Sequence, residues 1–159
     1  MTQEWAITKC TFGKITDELG YPEVDLFASR TNHKVERFVS WYPDPESIAV
    51  DAFSLYWGTY DLSYCFPPFS VIGQVLKKLR EEQATAIMVA PMWNTQSWYP
   101  TLVKMIVDFP LVFPATRANL FLPHRPSEVH PLKGKLSLMA VKVSGKSWEA
   151  LDFRRKLRT

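Results

Sequence analysis

Apolar residues at Trp5, Ile7, Phe12, Ile15 and Leu19 follow a loose helical spacing that ends at Gly20 before Pro22, which predicts a helix over about residues 11–19. Val24 to Ala28 is a short apolar run behind a turn signal and reads as a buried strand. Arg37 to Trp41 reads as a second strand, closed by Pro43 and Pro45, and a short helix or turn is expected over Glu46 to Phe53. Leu62 to Phe66 is aromatic and apolar and runs into Pro67 and Pro68, as a strand ending in a rigid loop does. From Ser70 to Gln83, Val71, Ile72, Val75, Leu76 and Leu79 share one helical face and the charged residues lie elsewhere. Ala84 to Ala90 is an unbroken apolar strand stopped by Pro91, and helical spacing resumes from Trp98 to Val107 through Leu102, Val103 and Ile106.

This alternation of strands and helices argues for a Rossmann-like α/β domain with a mainly parallel sheet, whose ligand crevice lies at the carboxyl ends of the strands. Phe66-Pro67-Pro68-Phe69 and Pro91-Met92-Trp93 both fall at such ends. After Asp108 the pattern changes: Pro110, Pro114, Pro123, Pro126 and Pro131 punctuate short apolar pieces, and only Leu136 to Val143 reads as a further strand. The expectation is an α/β domain over residues 1–109 and a Pro-rich C-terminal extension or link over 110–159. The basic run from Arg154 to Arg158 ends without a stop signal, as in a segment taken from something longer.

Composition narrows the class without naming a chemistry. A chain of 159 residues with 47% hydrophobic and 22% charged residues has the makings of one domain with an adequate core. Cys10 and Cys65 form no C-x-x-C pair, so zinc and thioredoxin-like motifs lack support, and both are expected as buried thiols in a reducing compartment. Nineteen basic against 16 acidic side chains give +3, a balance that permits nucleic acid without indicating it. No run approaches the roughly 20 apolar residues of a membrane span. The first residues lack a basic region followed by an apolar one, so no membrane association and a cytoplasmic or nuclear location are expected.

Two prolines after a buried strand fix the backbone at Phe66-Pro67-Pro68-Phe69 and hold an aromatic ring at the crevice. Such a ring either stacks on a flipped base or seals the next helix against the core. Trp93, Trp98 and Tyr99 follow the apolar strand at the crevice rim and have the same two readings. Lys77, Lys78 and Arg80 suit phosphate contacts or a solvated helix face diluted by Glu81 and Glu82. Asp25 and Asn32 suit polar contacts to a ribose or ammonium group, or local capping and a left-handed loop position.

Taken in order, Gly20 to Asn32 (GYPEVDLFASRTN), Asp51 to Trp57 (DAFSLYW), Phe66 to Phe69 (FPPF) and Ala90 to Tyr99 (APMWNTQSWY) carry a resemblance. They resemble the segment between the ribonuclease H and tyrosine recombinase regions of DIRS-type retrotransposon polyproteins. That segment in turn is similar to phage-type DNA adenine N6-methyltransferases over about residues 12–99. The resemblance implies a methyltransferase-type Rossmann-like sheet, with S-adenosylmethionine held by Asp25, Ala28, Ser29, Asn32 and Asp51. It implies DNA or an RNA–DNA intermediate, and neighbouring polyprotein domains, as partners. The family's catalytic motif is Asp or Asn, Pro, Pro, then Tyr or Phe, in which the polar residue accepts from the adenine amine and the aromatic ring stacks on the base. Here Phe66 stands at the polar position, and a phenyl ring cannot accept that hydrogen bond. The resemblance therefore implies a degenerate motif, Phe66, Pro67, Pro68 and Phe69, in a nucleic-acid-associated or connecting module. An active adenine methyltransferase and a structural part of the ribonuclease H region are the alternatives.

Other chemistries have less support. Only six glycines occur and none forms a G-x-G cofactor loop, and no nucleophile elbow or phosphate loop is present. Asp25, Asp44, Asp51 and Asp61 do not follow the carboxylate order of ribonuclease H, so no metal is expected. His33, His124 and His130 lack zinc-site spacing and read as solvated loop residues.

Overall fold

The apolar runs between turn signals become neighbouring strands of one sheet. A computed structural model describes residues 5–29, 31–116, 119–121 and 136–158. In chain order the strands are β1 (Ala6–Ile7), β2 (Val24–Ala28), β3 (Phe38–Ser40), β4 (Ala49–Val50), β5 (Ser63–Cys65), β6 (Thr85–Pro91), β7 (Leu111–Pro114), β8 (Leu120–Phe121) and β9 (Ser137–Ser144). The α-helices are α1 (Lys9–Leu19), α2 (Ile72–Glu81), α3 (Tyr99–Lys104) and α4 (Ser147–Leu157).

Seven strands form a sheet in the order β4-β3-β2-β5-β6-β9-β7, and β1 pairs with β8 in a separate two-stranded ribbon. The five strands from β4 to β6 are mutually parallel. β9 runs antiparallel to both β6 and β7, so the sheet is mixed and mostly parallel. The chain winds outward from β2 to β4, returns to β5 beside β2, and then winds the other way. The reversal between β2 and β5 is the switch point at which such sheets open a crevice.

Both faces of this sheet are covered, which is why β6 reads as a continuous apolar run. On one face Val24, Leu26, Cys65 and Met88 pack with Ile72, Val75, Leu76 and Leu79 of α2 and with Trp57. On the other, Tyr64, Ile87 and Val89 pack with Phe12, Ile15 and Leu19 of α1 and with Ile7 and Leu120 of the small ribbon. Thr8 caps α1 by accepting from Thr11 N–H, and Gly20, at φ +100°, ends it. Cys10 lies exposed in the first turn of α1, just before the buried Thr11 and Phe12, so of the two thiols expected inside only Cys65 is buried.

Three further differences from the sequence reading have local causes. The Glu46 to Phe53 stretch holds β4 and a single 3₁₀ turn, because Ile48 N–H bonds Phe38 O and Asp51 takes φ +64°. The segment from residue 110 onward supplies β7 and β9 to the sheet, with β9 paired to β6 along all seven of its registered positions. Pro114 obscures β7 in sequence, yet a sheet-edge strand tolerates a missing N–H. The basic tail is helical, with Arg154, Arg155 and Lys156 in the last turn of α4, where cations favour the helix dipole. Pro123, Pro126, Pro131, His124 and His130 lie outside the described residues. Among the described residues, no helix is long and apolar enough to cross a membrane.

Candidate functional site

The registers place the sequence-predicted residues along one edge of the sheet. Ala28 pairs with Ser40, Ser40 with Val50, and Cys65 with Met88, so Ser29, Asp51, the Phe66 to Phe69 turn and Trp93 all follow strand carboxyl ends. Asp25 is different. It sits inside β2, 2% exposed, opposite Tyr64 of β5. Between Asp25 and Ala28 the β2–β3 register slips, placing three steps of β2 against two of β3. Such a bulge bends a strand and re-aims its side chains.

Each polar group expected at a cofactor is used within the chain. Asp25 Oδ2 accepts from Lys34 N–H at 2.9 Å, and its Oδ1 accepts from Phe27 N–H at 3.4 Å. Burial outweighs these hydrogen bonds and pushes the Asp25 pKa up to about 7. Asn32 Oδ1 accepts from Ser29 N–H at 2.6 Å, and Ser29 O accepts from the N–H groups of Asn32 and His33, closing the loop on itself. Ser29 Oγ lies 3.1 Å from Thr31 Oγ1. Asp51 Oδ1 accepts from Phe53 N–H at 3.1 Å and so caps the turn that follows it. Its left-handed backbone is a conformation that Asp tolerates better than most residues. His33, expected in solvent, is half-buried and stacked on Phe38 with ring centroids 4.4 Å apart, because the closed loop folds it back onto β3.

Between β2, β5 and β1 a pocket of about 10 Å³ is bounded by Asp25, Asn32, Lys34, Tyr64, Phe66 and Trp5. That is room for about one water, whereas a cofactor of this size needs a cleft of roughly 300 Å³ or more. Among the described residues the Tyr64 hydroxyl, facing this space, has no hydrogen-bond partner. Burial raises the pKa of Tyr64 and of Cys65 well above the ordinary range, so both are neutral. Tyr64 escapes a sequence reading because strand register brings it opposite Asp25, and Lys34 because the β2–β3 loop turns its backbone N–H onto that carboxyl. The pocket beside Asp25 has no room for a bound S-adenosylmethionine, and the Asp25 carboxyl beside it is already bonded to backbone N–H groups; Asp51, away from that pocket, gives one carboxylate oxygen to its own turn.

Phe66 is half-buried and packs on the α1 face of the sheet, while Cys65 points to the α2 face. Pro67 is buried and Pro68 exposed. Phe69 begins the 3₁₀ turn leading into α2 and meets Trp93 edge to face, with centroids 5.1 Å apart. Those two rings are the one predicted aromatic pair that the fold brings together at the rim. Trp98 and Tyr99 instead pack with each other against the α2-side core.

The basic residues of α2 lie apart from the rim. Lys77 and Arg80 are five and eight residues past Ile72, about 8–12 Å further along the helix axis. Lys77 is exposed and pairs with Glu81 at 3.7 Å. Lys78 is largely covered: it pairs with Glu82 at 2.6 Å and lies 5.2 Å from the Trp57 ring centre. Among the described residues, no three His, Cys, Asp or Glu side chains group as a metal site requires.

No protein-family model matches the chain, and no curated protein matches it. The functional reading therefore rests on the sequence resemblance and on this geometry.

Proposed function

We propose that the chain is a methyltransferase-type module of a tyrosine-recombinase retrotransposon polyprotein that has lost methyl transfer and acts as a nucleic-acid-associated connecting domain. The sheet order supports the fold part of this reading: five parallel strands wind out from a switch point, and an antiparallel strand is inserted between the last two positions. A methyltransferase-type sheet has this form, whereas a dinucleotide-binding sheet continues parallel.

The observation that carries the loss of chemistry is Phe66. It occupies the strand-end position where an amine acceptor is needed, and its ring is packed toward the core with Tyr64 and Ile87. Positioning an amine for transfer requires an acceptor aimed at it, and a phenyl ring has none. The adjoining carboxylates do not substitute, since Asp25 and Asp51 are bonded to backbone N–H groups of their own loops. What the edge retains is shape: the Phe69 and Trp93 rings at the rim, with Lys77 and Arg80 further along α2. A single strand suits this spacing, with its bases stacked on the rim rings and its phosphates continuing along α2 to the cations.

Titrating single-stranded DNA and an RNA–DNA hybrid against the full chain tests this. Binding is expected at low salt, falling steeply as salt rises, and Trp93→Ala is expected to weaken it about tenfold. Replacing Lys77 and Arg80 by Ala should flatten the salt dependence by about one phosphate contact each. Absence of binding at low salt leaves the connecting role alone. Calorimetry with S-adenosylmethionine at millimolar concentration should show no heat of binding. A saturable signal lost on substituting Asn32 or Asp51 would restore the cofactor-binding alternative.

A further inference from the structure

Charge is segregated along this chain in a way that nucleic-acid association does not use. Between Arg37 and Lys77 there is no Lys or Arg, while Asp44, Glu46, Asp51 and Asp61 fall in that stretch. Its part from Trp41 to Asp51, which holds Asp44, Glu46 and Asp51, forms the β4 edge of the sheet among the described residues, and it exposes Trp41 (53%), Tyr42 (63%), Ile48 (43%) and Val50 (40%). Phosphates are repelled there. Cations are not: at the borders of the stretch Arg37 already lies 5.8 Å from the Tyr60 ring centre, and Lys78 lies over Trp57. Acidic groups beside exposed aromatic faces attract cations both by charge and through the ring quadrupole.

The complementary surface is on the same molecule. Helix α4 buries only Ala150 and exposes Trp148 (64%), Leu151 (52%) and Leu157 (51%). It carries Arg154, Arg155 and Lys156, with Arg158 at its end, against Glu149 and Asp152. A groove of about 230 Å³ bounded by Trp148, Phe153, Asp152 and Lys156 runs along its inner side. The helix is thus lightly seated, with apolar and basic groups turned outward. It leaves from Ser144, opposite Thr85 at the amino end of β6, whereas Trp41 and Val50 mark the carboxyl ends of β3 and β4. The two surfaces leave opposite ends of the sheet, so α4 of one molecule fits the edge of another.

We propose that the acidic aromatic β3–β4 edge docks the basic α4 helix of a second copy of this chain, head to tail. Two different patches meet in such a contact, so the association continues into a ring or a short filament unless one patch is blocked. Its electrostatic part weakens with salt.

Sedimentation or light scattering of the full chain is the direct test. Mass above the 18.4 kDa monomer is expected at low salt, rising with concentration and collapsing to monomer at high salt. An edge variant (Trp41→Ser with Glu46→Lys) and a helix variant (Arg155→Glu with Arg158→Glu) should each be monomeric alone. Mixed in equal amounts they should form a closed dimer, because each keeps the patch the other lacks. All four positions are exposed, so both variants should fold, which circular dichroism checks. A monomer under every condition, association that survives in either variant, or a mixture that stays monomeric would overturn the proposal. So would an edge that binds an oligonucleotide instead.

Discussion

The two halves of the sheet are built by different means. In the half that holds β5, β6, β9 and β7, β6 and β9 are seven and eight residues long and buried along nearly their whole length, and α2 makes the crossover between β5 and β6. From β2 to β4 the strands shorten from five residues to three to two, and among the described residues no helix joins them. The first half is held by apolar burial, worth about 1.5–3 kcal/mol for each large side chain. The second buries Val24, Leu26, Phe38 and Val39 as well, and adds local side-chain bonds from Asp25, Asn32, Ser40 and Asp51, each worth about 1 kcal/mol net. Aromatic contacts among Phe27, Phe53 and Trp57 add to it. This half of shorter strands is also the one that carries a buried carboxyl, Asp25, and that is where pH should act.

The largest expected effect lies there. Folded Asp25 keeps its proton up to about pH 7, whereas its ordinary value is 3.8. The folded state therefore binds the extra proton between these values. Its contribution is complete below pH 3.8, is lost as pH rises to about 7, and stays lost above that. Asp25→Asn removes this titration. The stability of wild type relative to Asp25→Asn, from urea unfolding, should fall by about 4 kcal/mol between pH 4 and about pH 8 and then level off. A difference that is flat across that range would place the carboxyl in water.

Next in size is a substitution in the other half. A Cβ at Gly145 would lie 1.8 Å from Leu79 O, while Gly145 N–H bonds Ala84 O at 2.8 Å. Neither backbone can yield without parting β9 and α4 from the end of α2. Gly145→Ala should cost about 3 kcal/mol, with no pH dependence between 4 and 7. A smaller loss, about 2 kcal/mol, is expected for Phe66→Asn, since Phe66 is only half-buried. That variant should unfold at lower urea concentration and still transfer no methyl group.

The same division explains what could be read in advance. The face shared by Ile72, Val75, Leu76 and Leu79 and the unbroken run from Ala86 to Ala90 announce α2 and β6, because apolar burial leaves a periodic trace in sequence. Val24 to Ala28 is legible for the same reason. β4 is not, because two residues between exposed neighbours carry no period. β7 hides behind Pro114, and β9 reads as a strand without revealing that it enters beside β6. At the site, the strand-end positions of Phe66 and Ser29 follow from turn signals, whereas that of Asp51 depends on the illegible β4. That Asp25, Asn32 and Asp51 are spent on their own loops depends on register and on backbone angles, which one sequence does not display.

Methyl transfer itself tests the central claim most directly. The full chain, incubated with methyl-labelled S-adenosylmethionine and adenine-containing DNA in single- and double-stranded form, should leave the DNA unlabelled above a no-protein control. Label appearing as N6-methyladenine, and absent when Phe69 or Asp51 is substituted in a folded variant, would contradict the account, because a packed Phe66 has no lone pair to hold the amine.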